Sequence, residues 1–404
     1  MQKLILSSDV NVTWDKGKIM IASQGNSNDE PYITDDPTIL LLLNVFSQIP
    51  LTVDNALERL KGLFPNSQST NFEKQIETLK SKKILTSYHL SHGDFFKILN
   101  DKRRGMDFLK YDDWGMTVSN CGKENLSPGC QSCKDGRWIC IFPSFTCNAE
   151  CKFCPRLTKD MVEKPPMNQV TVDLLLMAID SNKDKISGIS ISGGELFFKN
   201  YSIARDFIKQ VKTRYPHIYQ WAYTNGIAAA KDNMQELRDL GLDELRFNLA
   251  ATDFNQEIID KISTHAVKIF PWITVEVPIY SESFHHLIKR EKLKELADMG
   301  VKQLNLAEVR VPTPESEEDK DISPAAQHFL DFEELYQFDY MSIKVLSVVQ
   351  SRLYTYDILE YAYRQNINIR INDCSQEAKV VQIAGRTARG LDKISKDVDA
   401  FSNF

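Results

Sequence analysis

Short apolar runs alternate with amphipathic stretches along the middle of the chain. The runs have the length of buried strands, and the stretches between them place apolar residues at helical spacing, as in "TVDLLLMAID". Strands that alternate with helices predict parallel βα units, so we predict an α/β fold with a partial (βα)6 barrel as a domain over residues 141–312. The predicted strands are "WICIF" (138–142), "GISIS" (188–192), "QWAYT" (220–224), "LRFNL" (245–249), "ITVEVPI" (273–279) and "LNLAEV" (304–309).

A different pattern precedes this region. Two strand-like runs flank a turn at Asp15-Lys16-Gly17, and three amphipathic helices and a closing strand follow. Asp36-Pro37 begins the first helix, and Thr52 caps the second. This order predicts a winged-helix-like domain over residues 1–90. The remaining segments are a cysteine-rich connector over 91–140 and a C-terminal extension over 313–404.

Composition and charge narrow the class of protein. The chain has 404 residues, of which 42% are hydrophobic, and a net charge of −6, which argues against nucleic acid as a partner. The longest apolar run, Ile39–Phe46, is too short to cross a bilayer, and the N-terminus does not resemble a secretory signal. We therefore expect a cytoplasmic protein with no membrane partner.

The cysteines are the strongest chemical signal. Seven of the eight lie between Cys121 and Cys154, and the eighth is Cys374. Disulfides are disfavoured in a reducing cytosol, so this clustering predicts bound metal. Three of the cysteines follow the first predicted strand in the spacing C-x3-C-x2-C. Four thiolates complete a zinc site or a fully ligated cluster, whereas three leave one iron of a cubane cluster open.

These three residues, Cys147, Cys151 and Cys154, match the cluster motif of the radical S-adenosylmethionine (SAM) enzymes, and Phe153 stands at the aromatic position of that motif. The resemblance extends over residues 138–310. It implies a [4Fe–4S] cluster whose open iron is chelated by SAM, and reductive cleavage of SAM to a 5′-deoxyadenosyl radical. It also implies a set of SAM contacts: the GGE element Gly193, Gly194 and Glu195, and the polar residues Asn248, Glu308 and Arg310 at later strand ends.

The other cysteines predict a second metal site. Cys121, Cys130, Cys133 and Cys140 follow the spacing C-x8-C-x2-C-x6-C, which suits an auxiliary [4Fe–4S] cluster and also permits a structural zinc. Cys140 lies within the first predicted strand, so Cys374 is an alternative fourth ligand. Cys374 is otherwise a buried thiol or a hydrogen donor to a substrate radical.

The N-terminal domain resembles the leader-binding domain of ribosomal peptide maturation systems, which adds a peptide strand to its sheet edge. We therefore predict a radical SAM enzyme that abstracts hydrogen from a residue of a precursor peptide with a leader. The outcome is epimerisation, cross-linking or backbone cleavage, and a flavodoxin or ferredoxin supplies electrons. The alternatives are a radical SAM enzyme that acts on a small molecule or activates a glycyl-radical enzyme, and a non-enzymatic iron–sulfur or zinc protein.

Overall fold

The computed structural model divides the chain into two compact units. Unit 1 comprises residues 1–91 and 328–337, and unit 2 comprises residues 92–327 and 338–404. Each unit is described by itself below. The structure describes residues 4–7, 10–15, 18–23, 31–36, 38–48, 51–63, 69–82, 84–87, 89–154, 167–199, 201–311, 329, 333–340, 343–391 and 394.

Unit 1 combines short antiparallel strands with three helices. Its strands β2, β3 and β4 form a three-stranded sheet with β3 in the centre, and β1 pairs with β5. Asp15 pairs with Lys18 across the predicted turn, so the predicted hairpin is present. The elements are β1 (Leu4–Leu6), β2 (Val10–Asp15), β3 (Lys18–Ser23), β4 (Tyr32–Thr34), α1 (Thr38–Gln48), α2 (Val53–Leu63), α3 (Ser69–Ser81), β5 (Leu85–Ser87) and β6 (Leu90–Ser91).

The helices of unit 1 begin where the sequence predicts. Asp36 Oδ1 accepts a hydrogen bond from Thr38 N at 2.9 Å, and Thr52 Oγ1 accepts one from Asn55 N at 3.2 Å. The apolar faces of the three helices meet in one core that includes the buried side chain of Phe46. The order of elements agrees with the prediction, whereas the winged-helix assignment itself stays a prediction.

Unit 2 is built on a sheet of nine strands with helices between them. Its early elements are α4 (His92–Arg103), β7 (Lys110–Tyr111), β8 (Val118–Ser119) and α5 (Pro128–Lys134). The βα region contains β9 (Trp138–Ser144), α6 (Gln169–Asp180), β10 (Gly188–Gly193), α7 (Tyr201–Arg214), β11 (Tyr219–Thr224), α8 (Lys231–Leu240), β12 (Glu244–Phe247), α9 (Gln256–Lys261), α10 (Val267–Ile269), β13 (Trp272–Ile279), α11 (Ser281–Phe284), α12 (Lys292–Asp298), β14 (Gln303–Glu308) and β15 (Arg310–Val311). The later elements are β16 (Leu335–Tyr340), which spans the division between the units, β17 (Ile343–Val348), α13 (Val349–Arg364), β18 (Arg370–Cys374) and α14 (Gln376–Ala388).

The sheet of unit 2 is mostly parallel. Its order is β7-β8-β18-β14-β13-β12-β11-β10-β9, and every neighbouring pair from β18 to β9 is parallel. Six of these strands are the predicted runs, and β18 adds a seventh. The large parallel α/β sheet is thus confirmed. No pairing among the described residues joins β9 to β7, so the sheet there has two open edges.

The helix α5 shows that this sheet is curved. Ser132 of α5 hydrogen-bonds to Ser187 beside β10, and Ser127 at its N-terminus contacts Arg246 of β12 and Gln303 of β14. A helix of seven residues is only about 10 Å long, whereas four strand spacings cover about 19 Å of a flat sheet. The sheet must therefore curl around α5.

Within the described residues, every helix is too short or too polar to cross a membrane. The predicted boundaries of the connector and of the C-terminal extension, at 140 and 312, stay predictions. Residue 312 itself lies outside the described residues.

Candidate active site

The three cysteines of the C-x3-C-x2-C spacing lie on the loop that follows β9. Cys147 comes three residues after the end of that strand, and Cys154 N donates a hydrogen bond to the Cys151 carbonyl at 3.1 Å. All three side chains are partly exposed. Because parallel strands end at the same edge of the sheet, this loop lies beside the ends of the neighbouring strands.

Side chains of this loop contact the end of β13. Lys152 forms an ion pair with Glu282, and its ammonium nitrogen lies 4.8 Å from the ring centroid of Tyr280. The ring of Phe153 lies 5.9 Å from the ring of Tyr280, centroid to centroid. Burial raises the pKa of Tyr280 to about 12. Phe153 therefore helps to attach the cysteine loop to the segment that follows β13, and its predicted contact with SAM stays a prediction.

The two glycines of the GGE element pack against the end of β9. Gly194 N donates to the Ser144 carbonyl at 2.7 Å, and Gly193 has a φ of +103°, which favours glycine. A Cβ at Gly194 would lie 2.0 Å from the Thr146 carbonyl oxygen. Glycine is thus required here because the GGE element lies close to the backbone just before Cys147.

Glu195 joins the ends of β10 and β11. Its buried carboxylate accepts hydrogen bonds from Thr224 Oγ1 at 2.6 Å, from Asn225 N at 2.7 Å and from Phe197 N at 3.2 Å. Burial raises the pKa of Glu195, while these three hydrogen bonds act to lower it. Much of its acceptor capacity is therefore used inside the protein, and its predicted contact with the SAM ammonium stays a prediction.

Asn225 is a site residue that the sequence analysis missed. Its side-chain amide donates to Asn148 Oδ1 at 2.8 Å and to Cys147 Sγ at 3.8 Å. Its backbone is held by Glu195, so the GGE element positions Cys147 through Asn225. The available signal was the turn "YTNGI" directly after a buried strand.

The three later SAM contacts predicted from the sequence take part in local structure. Asn248 follows β12 and its side chain accepts a hydrogen bond from Ala251 N at 3.2 Å, which caps a short 3-10 helix. Glu308 ends β14 and accepts one from Gln376 N at 2.8 Å. Arg310 pairs with Ser347 between β15 and β17. Their roles in SAM binding stay predictions.

The remaining cysteines are distributed between α5 and the sheet. Cys130 and Cys133 lie on α5, Cys140 lies in β9, and Cys374 ends β18. Burial raises the pKa of Cys140 to about 11 and that of Cys374 to about 12. Cys121 follows β8, and burial raises its pKa as well.

The donor set of the loop is three cysteine thiols, those of Cys147, Cys151 and Cys154. Within the part of the chain that the structure describes, no three Cys, His, Asp or Glu side chains stand where they could hold one metal ion. In number and type, three thiols on one loop match the ligands of a [4Fe–4S] cluster with one open iron.

Comparison with protein families agrees with this donor set. Residues 135–261 match a family model described as a 4Fe-4S single cluster domain. The matched segment contains the cysteine loop, the GGE element and Asn248. The predicted [4Fe–4S] cluster is confirmed by this match.

Individual proteins show more distant similarity. The chain is 24% identical over 197 residues to a Methanocaldococcus jannaschii protein named as a candidate glycyl-radical enzyme activating enzyme, over 46% of this chain and 51% of that protein. The chain thus spans about half the length of this relative.

Two solved structures also align with the chain at low scores. SuiB of Streptococcus suis, bound to S-adenosylmethionine, aligns with a TM-score of 0.38 and 12% identity over 92% of this chain and 72% of its own. BtrN, in complex with AdoMet and 2-DOIA, aligns with a TM-score of 0.28 and 19% identity over 38% of this chain and 62% of its own. The chain is thus similar to iron–sulfur proteins over residues 135–261.

We predict that Asn225→Ala lowers the reduction potential of the cluster, because the reduced, more negative cluster loses an N–H donor to Cys147 Sγ. A bond that favours the reduced form by about 1 kcal/mol corresponds to about 40 mV for one electron. Potentiometric titration followed by electron paramagnetic resonance measures the shift. Asn233→Ala, which removes a side chain bonded to Ala230 N and the Ala228 carbonyl, is the control. Equal potentials in wild type and Asn225→Ala would contradict this role.

Proposed function

We propose that the chain is a radical SAM enzyme with a partial-barrel core that modifies a ribosomally made precursor peptide. The active site is the edge of the sheet where β9, β10, β11 and β13 end. Cys147, Cys151 and Cys154 bind a [4Fe–4S] cluster, and SAM is the second cofactor. A flavodoxin or ferredoxin donates the electron.

One observation carries this proposal. Three thiols stand on a single loop after the first βα strand, and the GGE element of the next strand packs against the same loop. Three ligands rather than four leave one iron available to a chelating cofactor. A zinc ribbon needs two pairs of thiols and gives no reason for the GGE element to lie here.

The bound cofactors supply the radical chemistry, and the residues of the chain position those cofactors. A cluster with one open iron supplies reductive cleavage of SAM to methionine and a 5′-deoxyadenosyl radical, which abstracts hydrogen from carbon. The chain's own residues orient the cysteine loop. Glu195 and Asn225 fix the position of Cys147. Phe153 and Lys152, within the loop, contact Tyr280 after β13 and so anchor the loop on its other side.

Unit 1 supports a peptide substrate by its exposed sheet edges. Strands β2 and β4 flank β3, and neither has a second partner strand among the described residues. Val12 on β2 is 39% exposed and Ile33 on β4 is 49% exposed, so each edge presents an apolar side chain beside unpaired backbone groups. An extended leader can add to such an edge as a further strand. The leader then holds the core residue for hydrogen abstraction, which leads to epimerisation, cross-linking or backbone cleavage.

A second candidate function is activation of a glycyl-radical enzyme. The name of the Methanocaldococcus jannaschii relative favours it. Both functions place a radical on a polypeptide, and both use the same three thiols. They differ in the partner, because a folded enzyme does not add a leader strand to unit 1.

We predict that the reduced protein converts SAM to 5′-deoxyadenosine and that Cys147→Ala, Cys151→Ala and Cys154→Ala each lower this rate at least about 100-fold, since each removes a cluster ligand. Dithionite-reduced protein is incubated with SAM under anaerobic conditions, and the nucleoside is quantified by chromatography. Met177→Ala, on the exposed face of α6, is the control and keeps the wild-type rate. Wild-type rates in all three cysteine variants would contradict the cluster assignment.

We predict that the full chain binds a leader-bearing peptide encoded by a short reading frame next to its own gene, and that Val12→Pro or Ile33→Pro weakens binding at least about tenfold. Proline removes a backbone donor that an added strand needs. Fluorescence anisotropy with labelled peptides measures the affinity, and Met177→Ala serves again as the control. If none of the neighbouring peptides binds, the peptide substrate is contradicted and activation of a glycyl-radical enzyme is favoured.

A further inference from the structure

The concave face of the large sheet, the face that α5 contacts, is buried in the middle of the strands and partly exposed near their ends. On each of β11, β13, β14 and β18, a buried side chain of this face is followed two residues later by one that keeps some exposure. Side chains two residues apart on a strand lie on one face. The buried side chains are Trp221, Thr274, Asn305 and Asn372, and the partly exposed ones, which we call the rim, are Tyr223, Glu276, Ala307 and Cys374.

The rim lies at the edge of the sheet that carries the cysteine loop. Tyr223 stands two residues before Asn225, whose side chain contacts Cys147 Sγ at 3.8 Å. A small cavity at the same edge is lined by Tyr223 together with Gly194 and Glu195 of the GGE element. A group bound at the rim therefore lies beside the cysteine loop.

Glu276 is the carboxylate of the rim. Its Oε2 accepts a hydrogen bond from Asn305 Nδ2 at 3.1 Å and lies 3.6 Å from Arg246 Nη1. Its Oε1 has no hydrogen-bond partner among the described residues. The side chain of Glu276 is 20% exposed, whereas those of Glu244 and Arg246 are 0% and 4% exposed. One carboxylate oxygen is thus held by the protein, and the other is available to a ligand.

The charges around Glu276 leave a negative excess. Arg246 Nε donates to Glu244 Oε1 at 2.8 Å, so the guanidinium makes its closer ion pair with Glu244. In the described part of the chain, Glu276 has no ion-pair partner other than Arg246, and Lys379 on α14 forms none with it. Two carboxylates therefore share one cation. A partly buried carboxylate that shares its cation is destabilised, and a bound ligand cation lowers that cost.

Tyr223 forms a fixed wall next to this carboxylate. Its phenol oxygen accepts hydrogen bonds from Arg246 Nη1 and from Trp221 Nε1, both at 3.2 Å. Arg246 Nη1 thus lies between the phenol and Glu276. An aromatic ring beside a carboxylate suits a cation on an aliphatic stem, since the ring packs against the stem. No three Cys, His, Asp or Glu side chains of the described residues can hold a metal ion, which also favours an organic cation.

We propose that Glu276 and Tyr223 form a subsite for the cationic side chain of a Lys or Arg residue in the precursor peptide. The subsite rests on the proposed function and adds a specificity to it, because it selects which part of the peptide lies beside the cysteine loop. SAM also carries an ammonium group. The experiment therefore measures peptide and SAM separately.

The test uses Glu276→Gln in the full chain, with the iron–sulfur cluster reconstituted under anaerobic conditions. The amide has the shape of the carboxylate and keeps an oxygen that can accept from Asn305. Glu257→Gln, whose side chain is 75% exposed on α9, is the matched control. The probe is a leader-bearing peptide that binds the full chain, used unchanged and with each Lys or Arg of its core changed to Met in turn. The peptide-dependent formation of 5′-deoxyadenosine gives kcat/KM, and equilibrium dialysis gives the Kd for SAM.

We expect Glu276→Gln to lower kcat/KM for the peptide at least about tenfold, because a charge-assisted hydrogen bond to the ligand is lost. One of the Met-substituted peptides gives a similar loss with the wild-type protein. The two changes together cost no more than either alone, since they remove the same contact. Glu257→Gln keeps the wild-type kcat/KM, and the Kd for SAM is the same in all three proteins.

Equal kcat/KM in wild type and folded Glu276→Gln overturns the subsite and leaves Glu276 only as a partner of Arg246. A weaker affinity for SAM in Glu276→Gln assigns the carboxylate to SAM and overturns the peptide subsite. If circular dichroism shows that Glu276→Gln is unfolded, the peptide variants decide with the wild-type protein, and wild-type kcat/KM for every one of them overturns the subsite. If no neighbouring peptide binds at all, the proposed function fails and the subsite with it, so the two failures are distinguishable.

Discussion

The parallel register of the large sheet is the constraint on which the rest of unit 2 depends. Strands that run in one direction end at one edge, so loops distant in sequence become neighbours there. The loop that carries Cys147 follows β9, and the carboxylate of Glu195 follows β10. That carboxylate accepts from the backbone of Asn225 after β11, and Asn225 in turn contacts the sulfur of Cys147. One buried carboxyl group therefore ties two strand ends to the cysteine loop.

The curvature of the sheet creates a second chemical environment. The helix α5 fills the concave side and is held there by hydrogen bonds to strands from β10 to β14. Buried polar side chains must be paired, and here Arg246 is paired with Glu244 while Gln303 and Asn305 turn toward Cys130. The interior is thus polar and rich in thiols, unlike an ordinary packed core.

The sequence predicts the local elements well and the long-range partners poorly. Apolar runs between amphipathic stretches mark the strands because buried parallel strands need continuous apolar side chains. The C-x3-C-x2-C spacing marks the cysteine loop because its ligands are close in sequence. The pairing of β18 with β14 has no local signature, so the place of Cys374 in the sheet could not be predicted from spacing. The same holds for Glu195, whose donors Thr224 and Asn225 come from the next βα unit.

The central claim is that the cluster at Cys147, Cys151 and Cys154 has an open iron that SAM chelates. The most direct measurement is the electron paramagnetic resonance spectrum of the reduced cluster, recorded before and after addition of SAM. We predict that SAM changes the g-values of the signal that is lost in the Cys147→Ala variant, because a new ligand binds one iron. An unchanged spectrum at saturating SAM, with the cluster intact, would contradict it.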